Sequence, residues 1–238
     1  NDFFEQFIEY ISPNSNDNYS KLWQNRNRQN EIGHEEFLEL CEWSDIKAFQ
    51  GVLEVLPKGT NLQMGNSSAV RYIQLFKQRI DVLYNSNRGV AGIDGCTSTA
   101  VGAAIVNHRP TTIITGDISF FYDSNAFWNS HLSENLRVVL INNGGGNIFR
   151  IIPGPSTTNQ LEDYFETHHN LESEHIARLY QLNYYQANSV ETLAEALKLF
   201  YGKQENRRPA ILEIKTPRLE NDKVLKRYFE FLKNKIQG

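Results

Sequence analysis

The sequence predicts an α/β domain: a doubly wound parallel sheet with helices on both faces. Two observations carry that expectation. Short, β-branched apolar runs alternate with longer stretches of helical periodicity, and parallel neighbours need such crossovers. The most apolar run, Leu136-Arg137-Val138-Val139-Leu140-Ile141, is nearly continuous, as a strand covered on both faces requires.

The chain opens on an amphipathic segment carrying acids, and Ser12 to Asn18 is turn chemistry that reads as a connector. From about 19 to 50 the pattern is helical, with Trp23 early and Phe37, Leu38, Cys41 and Ala48 as candidate buried positions. After Pro57-Lys58-Gly59 the rhythm changes. Strands are expected at about 62–64, 82–84, 111–115, 136–142 and 210–214, and helices at 67–78, 96–107, 119–129 and 188–201. The last of these sets Val190, Leu193, Ala194, Leu197 and Phe200 on one face, with Asn188 as its cap and Glu191 three residues on. A final helix over 221–236 carries Val224, Leu225, Tyr228, Phe229 and Leu232 at helical spacing. Ligands of such folds sit beyond the carboxyl ends of the strands.

Composition narrows the function classes. The 238 residues fit one large domain or two small ones. A net charge of −4 argues against a nucleic-acid surface. No apolar run approaches the roughly 20 residues of a membrane span, and no signal-peptide pattern opens the chain. Cys41 and Cys96 have neither metal-ligand spacing nor a disulfide-framework count, which favours the cytoplasm. The chain starts at Asn1 without methionine, so a longer parent protein is expected.

Three motifs carry chemistry, each at the end of an expected strand. In the first, Gly116-Asp117-Ile118-Ser119 is followed by Asn142-Asn143-Gly144-Gly145-Gly146, with Asp117 and Asn143 26 residues apart. Singly, each would be an ordinary turn. Together they offer a hard carboxylate oxygen, a neutral amide oxygen and glycines that let a backbone carbonyl, expected at Gly145, approach. Three such oxygens, completed by a diphosphate and water, suit octahedral Mg²⁺. Ser119 and the amides opening the next helix would face the phosphate. The second motif, Ser86-Asn87-Arg88-Gly89-Val90-Ala91-Gly92-Ile93-Asp94-Gly95, is a glycine-rich loop with one aliphatic side chain set over a ligand, or a tight turn whose Ile93 enters the core. The third, Gly65-Asn66-Ser67-Ser68-Ala69-Val70-Arg71, reads as a capped helix start, with Asn66 or Ser67 as cap and free amides for an anion. Arg71 lies one turn along on the same face.

These segments resemble the thiamin-diphosphate enzymes, whose signature is Gly-Asp-Gly, about 25 residues, then Asn-Asn. The third residue of that signature is Ile118 here, a departure familiar in the succinyl-enolpyruvyl-hydroxy-cyclohexene-carboxylate synthases of the menaquinone pathway. The glycine-rich loop is similar to that family's Ser-Asn-Arg-Gly-x-x-Gly-Ile-Asp-Gly, and Gly65 to Arg71 to its Gly-Asn-Ser-x-x-x-Arg. The likeness is strong from about Leu62 to Pro155. It implies thiamin diphosphate and Mg²⁺ as cofactors, with Asp117, Asn143 and Gly145 as metal ligands. Asn66, Ser67, Gly92, Ile118, Ser119, Asn147, Ile148 and Phe149 would contact the cofactor. Ile93 would wedge between its two rings, and Arg71 and Arg88 would bind substrate carboxylates as bidentate forks. Ala91 stands where many relatives have Ser, which removes one polar contact near the pyrimidine.

The implied activity is a carboligation. It decarboxylates 2-oxoglutarate and adds the succinyl-semialdehyde unit to isochorismate, forming 2-succinyl-5-enolpyruvyl-6-hydroxy-3-cyclohexene-1-carboxylate. Residues 1–18 would be a tail from a preceding central domain and 19–238 the diphosphate- and metal-binding domain. The activating Glu would come from a pyrimidine-binding domain of the full-length chain, supplied by a dimer mate, so this chain alone should not turn over. Two alternatives stand beside this. One is another enzyme of the class, of acetolactate synthase or 2-oxoacid decarboxylase type, against which Arg71, Arg88 and Ile118 argue. The other is a non-catalytic Mg²⁺-dependent nucleotide-binding module, against which the lack of a Walker loop or Gly-x-Gly-x-x-Gly turn argues. His168 and His169 fit no standard zinc spacing and read as a polar loop, and Cys96 reads as packing.

Overall fold

The computed structural model describes residues 2–10, 17–203 and 206–237. They fall into two compact units, Cys41–Lys226 and Asn1–Leu40 with Arg227–Gly238. In chain order the elements are α1 (Asp2–Tyr10), α2 (Asn18–Leu40), α3 (Asp45–Glu54), β1 (Asn61–Met64), α4 (Ser68–Ile73) and β2 (Leu83–Ser86). There follow α5 (Cys96–Val106), β3 (Thr111–Gly116), α6 (Asp117–Tyr122), β4 (Leu136–Asn142) and α7 (Ile148–Ile151). The remainder are α8 (Glu174–Leu179), β5 (Asn183–Ala187), α9 (Val190–Phe200), β6 (Ala210–Lys215) and α10 (Asn221–Gln237).

All five strand pairings are parallel, in the order β2-β1-β3-β4-β6-β5, so the expected α/β fold is the observed one. From β1 the chain moves outward to β2, then returns to place β3 on β1's other side. Between β1 and β3 the winding therefore reverses, and a crevice opens beyond their carboxyl ends. The sheet centre is apolar: every residue of β4 except Arg137 is buried. Ile113, Val138, Leu140 and Ile211 pack with Phe120, Phe127, Ala100 and Cys96 in one core cluster. Cys96 is indeed packing.

Five local readings are corrected. The helical pattern over 19–50 is two helices, broken at residues 41–44. Extended Ser44 (φ −169°, ψ 175°) opens α3, and the Trp43 indole N–H donates to Lys215 O at 2.9 Å. Phe37, Leu38 and Ala48 are buried there, whereas Trp23 is half-exposed and Cys41 only part-buried. The helix expected over 119–129 starts two residues early and gives way to a 3₁₀ turn at Ser124–Phe127. Its Asp123 carboxylate accepts the Ser98 N–H and hydroxyl at the start of α5 instead of continuing the helix. The cap of α9 is Ser189 rather than Asn188, in a capping box with Thr192, and Ala196 takes the buried place expected for Ala194. In α10, Val224, Leu225 and Tyr228 are buried but Phe229 is half-exposed. The half-exposed edge strand β5, Asn183-Tyr-Tyr-Gln-Ala, gives no apolar run and escaped the pattern.

In the smaller unit, Phe37 packs edge-on against Tyr228 with centroids 5.3 Å apart, and His34 Nδ1 lies 3.0 Å from the Tyr228 hydroxyl. Burial lowers the His34 pKa. Of the expected connector, residues 12–16 lie outside the described residues, and Asn18 already belongs to α2. Among the described residues no helix is long and apolar enough to cross a membrane.

Candidate active site

A cavity of about 550 Å³ opens at the β1/β3 crevice, and it is lined by every expected site residue except Gly92. The loops after β1, β2, β3 and β4 build it, and side-chain hydrogen bonds cross-link them. Gly65 leaves β1 with its N–H on Ile114 O at 2.8 Å. A Cβ there would stand 2.9 Å from that same oxygen, so only glycine lets the loop run so close to β3. Asn66 does not cap α4. Its amide nitrogen instead donates to Asn87 O (2.9 Å) and Gly92 O (2.6 Å), and its oxygen accepts from Arg88 (2.9 Å). Gly92 thus turns its carbonyl back into Asn66, while Ala91 (φ 56°) and Ile93 on either side face the cavity. Ser67 precedes α4 at φ 66°, ψ −126° without a side-chain cap bond. That is a strained backbone for a residue with a Cβ, of the kind concentrated at ligand sites. Ser119, in the first turn of α6, donates its hydroxyl to Ile93 O at 2.7 Å, tying the glycine-rich loop to the loop after β3.

The loops after β3 and β4 are interlocked. The Asp117 carboxylate is buried and accepts the N–H groups of Ile118 (2.7 Å) and Gly145 (2.9 Å). Gly145 has φ 154°, and a Cβ there would lie 2.8 Å from Glu166 O, so the motif's glycine is required. Asn142 and Asn143 point opposite ways. Asn142 donates to the buried Glu213 carboxylate (2.5 Å) and accepts from Gly144 N (3.2 Å). Asn143 donates to Asp45 Oδ2 at 3.0 Å. Its Oδ1 is buried with no partner in the protein, as are both amide atoms of Asn147. Buried polar atoms are nearly always satisfied, so these orphans at a cavity wall fit a ligand that presents both a cation and anionic oxygens. Ile118, Ile148 and Phe149 make the wall apolar, and Arg71 and Arg88 lie exposed at its rim.

Four residues of this site were not singled out by the sequence reading. Asp45 is fully buried, and desolvation pushes its carboxyl up to about 6 against hydrogen bonds from Thr216 and Asn143 that pull it down. Glu166, also fully buried, receives Gly146 N on its carbonyl (2.5 Å) and bidentate pairs from Arg150 and Arg218 on its carboxylate. Burial alone would raise its pKa, but the two guanidinium groups outweigh it and hold the carboxyl below its usual range. His169, set aside as a polar loop, donates its N–H to Gly144 O and brings Nε2 3.4 Å from Asp117 Oδ2. Its Nδ1 accepts from Leu171 N, so a neutral ring carries its proton on Nε2, toward Asp117. Tyr164 adds to the cavity wall. Among the described residues no three His, Cys, Asp or Glu side chains group as a metal site by themselves.

A parallel sheet with a ligand crevice at its reversal point, floored by a buried Asp and two Asn, defines a cofactor-binding domain of the diphosphate type. The profile of the family "Thiamine pyrophosphate enzyme, C-terminal TPP binding domain" matches residues 64–214, and the chain belongs to that family. It is 45% identical over 235 residues to the 2-succinyl-5-enolpyruvyl-6-hydroxy-3-cyclohexene-1-carboxylate synthase of Flavobacterium johnsoniae, covering 98% of this chain and 41% of that protein. Synthases of the same name from Christiangramia forsetii and Porphyromonas gingivalis are 48% and 41% identical, over 84% and 90% of this chain and 34% and 37% of theirs. The chain thus spans about two fifths of the length of the curated relatives it matches.

Proposed function

We propose that this chain is the diphosphate- and Mg²⁺-binding part of a 2-succinyl-5-enolpyruvyl-6-hydroxy-3-cyclohexene-1-carboxylate synthase, a transferase that joins 2-oxoglutarate to isochorismate. The observation that carries the reading is the unpartnered Asn143 Oδ1 beside the buried Asp117 carboxylate, in a chain similar to synthases of that name along nearly its whole length. Asp117, Asn143 Oδ1 and the Gly145 carbonyl are the oxygens assigned to Mg²⁺. Asn66, Ser67, Ser119 and Asn147 are assigned to the polar parts of the cofactor, Gly92 to holding the Asn66 amide through its carbonyl, and Ile118, Ile148 and Phe149 to the cofactor's apolar surroundings. When bound, thiamin diphosphate supplies the electron sink for 2-oxoacid decarboxylation and transfer of the remaining acyl unit.

The chain's own residues then do three things. Ile93, facing the cavity, would be the aliphatic wedge against the bound cofactor. The apolar wall of Ile118, Ile148 and Phe149 keeps water from the reacting centre. Arg71 and Arg88, with their forked guanidinium donors, would hold the carboxylates of the two acidic substrates. The glutamate that activates the aminopyrimidine is assigned to a pyrimidine-binding domain of the full-length protein, reaching the cavity from a dimer mate. Two reduced cysteines, Cys41 and Cys96, suit the cytoplasm.

The test is an assay of the full-length protein with Mg²⁺, thiamin diphosphate, 2-oxoglutarate and isochorismate, following consumption of both substrates. Joint consumption with CO₂ release is expected. Decarboxylation of pyruvate in preference to 2-oxoglutarate would overturn the substrate reading and leave the cofactor reading standing. The 238-residue chain by itself is expected to release no CO₂ above a protein-free control.

A further inference from the structure

We propose that Asp45 is a positioning residue that decides which end of the Asn143 amide faces the cation. This rests on the reading of Asn143 as a Mg²⁺ ligand and deepens it. An asparagine amide has an oxygen end and a nitrogen end of nearly equal size and shape. Only the oxygen end can ligate, and two N–H donors turned to the cavity would repel a cation. Shape alone does not choose between the two orientations; the partner on the far side must.

That partner is Asp45. Its Oδ2 lies 3.0 Å from Asn143 Nδ2, and both side chains are buried. A carboxylate is acceptor-only, so the end of the amide that meets it must be the nitrogen, and the oxygen is left facing the cavity. Asp45 is itself held without freedom to swing. Oδ1 accepts from Thr216 Oγ1 at 2.6 Å and from Asn221 Nδ2 at 2.9 Å, while the Asp45 N–H donates to Asn221 Oδ1 at 2.8 Å. Asn221 therefore grips Asp45 by both backbone and side chain. Asp45 also lines the same cavity as Asp117, so it is aligned with the site rather than remote from it. The anchoring residues stand 98 and 176 positions from their partners in the chain, and no motif spacing relates them.

The experiment uses the full-length protein and measures Mg²⁺ affinity by titration calorimetry at saturating thiamin diphosphate, beside a thermal melt. Asp45→Asn keeps the size of the side chain but can donate, so either end of the Asn143 amide is accommodated. Mg²⁺ affinity is expected to fall about tenfold to a hundredfold, the range seen when a group orienting a metal ligand is removed. Combining it with Asn143→Asp exchanges the two groups. The new amide at position 45 then donates to the new carboxylate at position 143, whose other oxygen faces the cation. This exchange is expected to recover affinity to within about threefold of the unsubstituted protein, whereas independent losses would add. A merely structural role for Asp45 predicts no such recovery.

Thr216→Val removes one donor from the Asp45 carboxylate without altering the cavity lining, and is expected to weaken Mg²⁺ by about threefold to tenfold; it decides the matter should Asp45→Asn not fold. Unchanged affinity in Asp45→Asn, or in Thr216→Val in that case, would overturn the inference, and so would an exchange variant no better than Asp45→Asn. Failure of the unsubstituted protein to bind Mg²⁺ with thiamin diphosphate would instead overturn the reading of the site, and this one with it.

Discussion

The cavity has two corners that are equally plain as sequence motifs and physically unlike. At the corner of Asp117, Asn143 and Gly145 every group is buried, and the loops bond to one another and to residues behind them. At the corner of Arg71, Arg88 and Ala91 the side chains are exposed, and Arg88 donates to Asn66 Oδ1. The first corner is cross-linked by hydrogen bonds, an arrangement suited to a hard cation, which tolerates little error in the placing of its oxygens. The second can be loose, since long guanidinium side chains reach for carboxylates from solvent. The contrast teaches that a motif names candidate ligating residues but not what holds them in place. That comes from the partners behind the motif, Asp45, Glu166, Glu213 and Asn221.

Substitutions in the two corners should separate along that line. The largest effect is expected from Asp117→Ala in the full-length protein. Mg²⁺-dependent binding of thiamin diphosphate should vanish in calorimetry while the circular dichroism of the α/β fold persists; wild-type cofactor affinity would remove Asp117 from the ligand set. Next, Glu166→Ala strips the carboxylate from Arg150 and Arg218 and leaves two partly buried guanidinium groups sharing the exposed Glu162 carboxylate. A loss of roughly 3–5 kcal/mol is expected, as for breaking a buried ion pair, and chemical denaturation measures it. A loss below about 1 kcal/mol, the value of a surface pair, would mean that the buried corner does not depend on its support.

Smaller changes test the open corner. Arg71→Ala or Arg88→Ala should leave stability and cofactor affinity nearly unchanged. Each should lower kcat/KM for 2-oxoglutarate or isochorismate by roughly tenfold or more, since a charge-assisted hydrogen bond is worth about 1.5–3 kcal/mol. Equal kinetics for both substrates in both variants would return these arginines to a solvated surface. The smallest effect is expected from Ser119→Ala, which removes one bond to Ile93 O between the two corners. About 1 kcal/mol of stability is at stake, and the thermal melt should show it, with a loss of cofactor affinity well below that of Asp117→Ala.

Much of this was legible in the chain by itself. The buried run at 136–142 and the strand–helix alternation dictate a parallel sheet, because apolar periodicity and crossover length are local properties. The ligand loops were legible for a related reason. Close backbone approach at Gly65 and Gly145 and the oxygen donors Asp117 and Asn143 leave a short-range signature. The helix break before α3, the cap on α9 and the edge strand β5 were less so, since they depend on partners such as Lys215 O or on a half-exposed position beside β6.

Asp45 was not legible at all. A Ser-Asp pair at a helix start has the composition of an ordinary N-terminus, and only the fold turns its carboxylate inward against Asn143 and Asn221. His169 likewise reads as loop until the backbone bond to Gly144 O brings it beside Asp117. The candidate ligating side chains were thus encoded locally, in side-chain chemistry and glycine spacing. Their hydrogen-bond partners were decided by segments far apart in the chain, and such bonds have no sequence period.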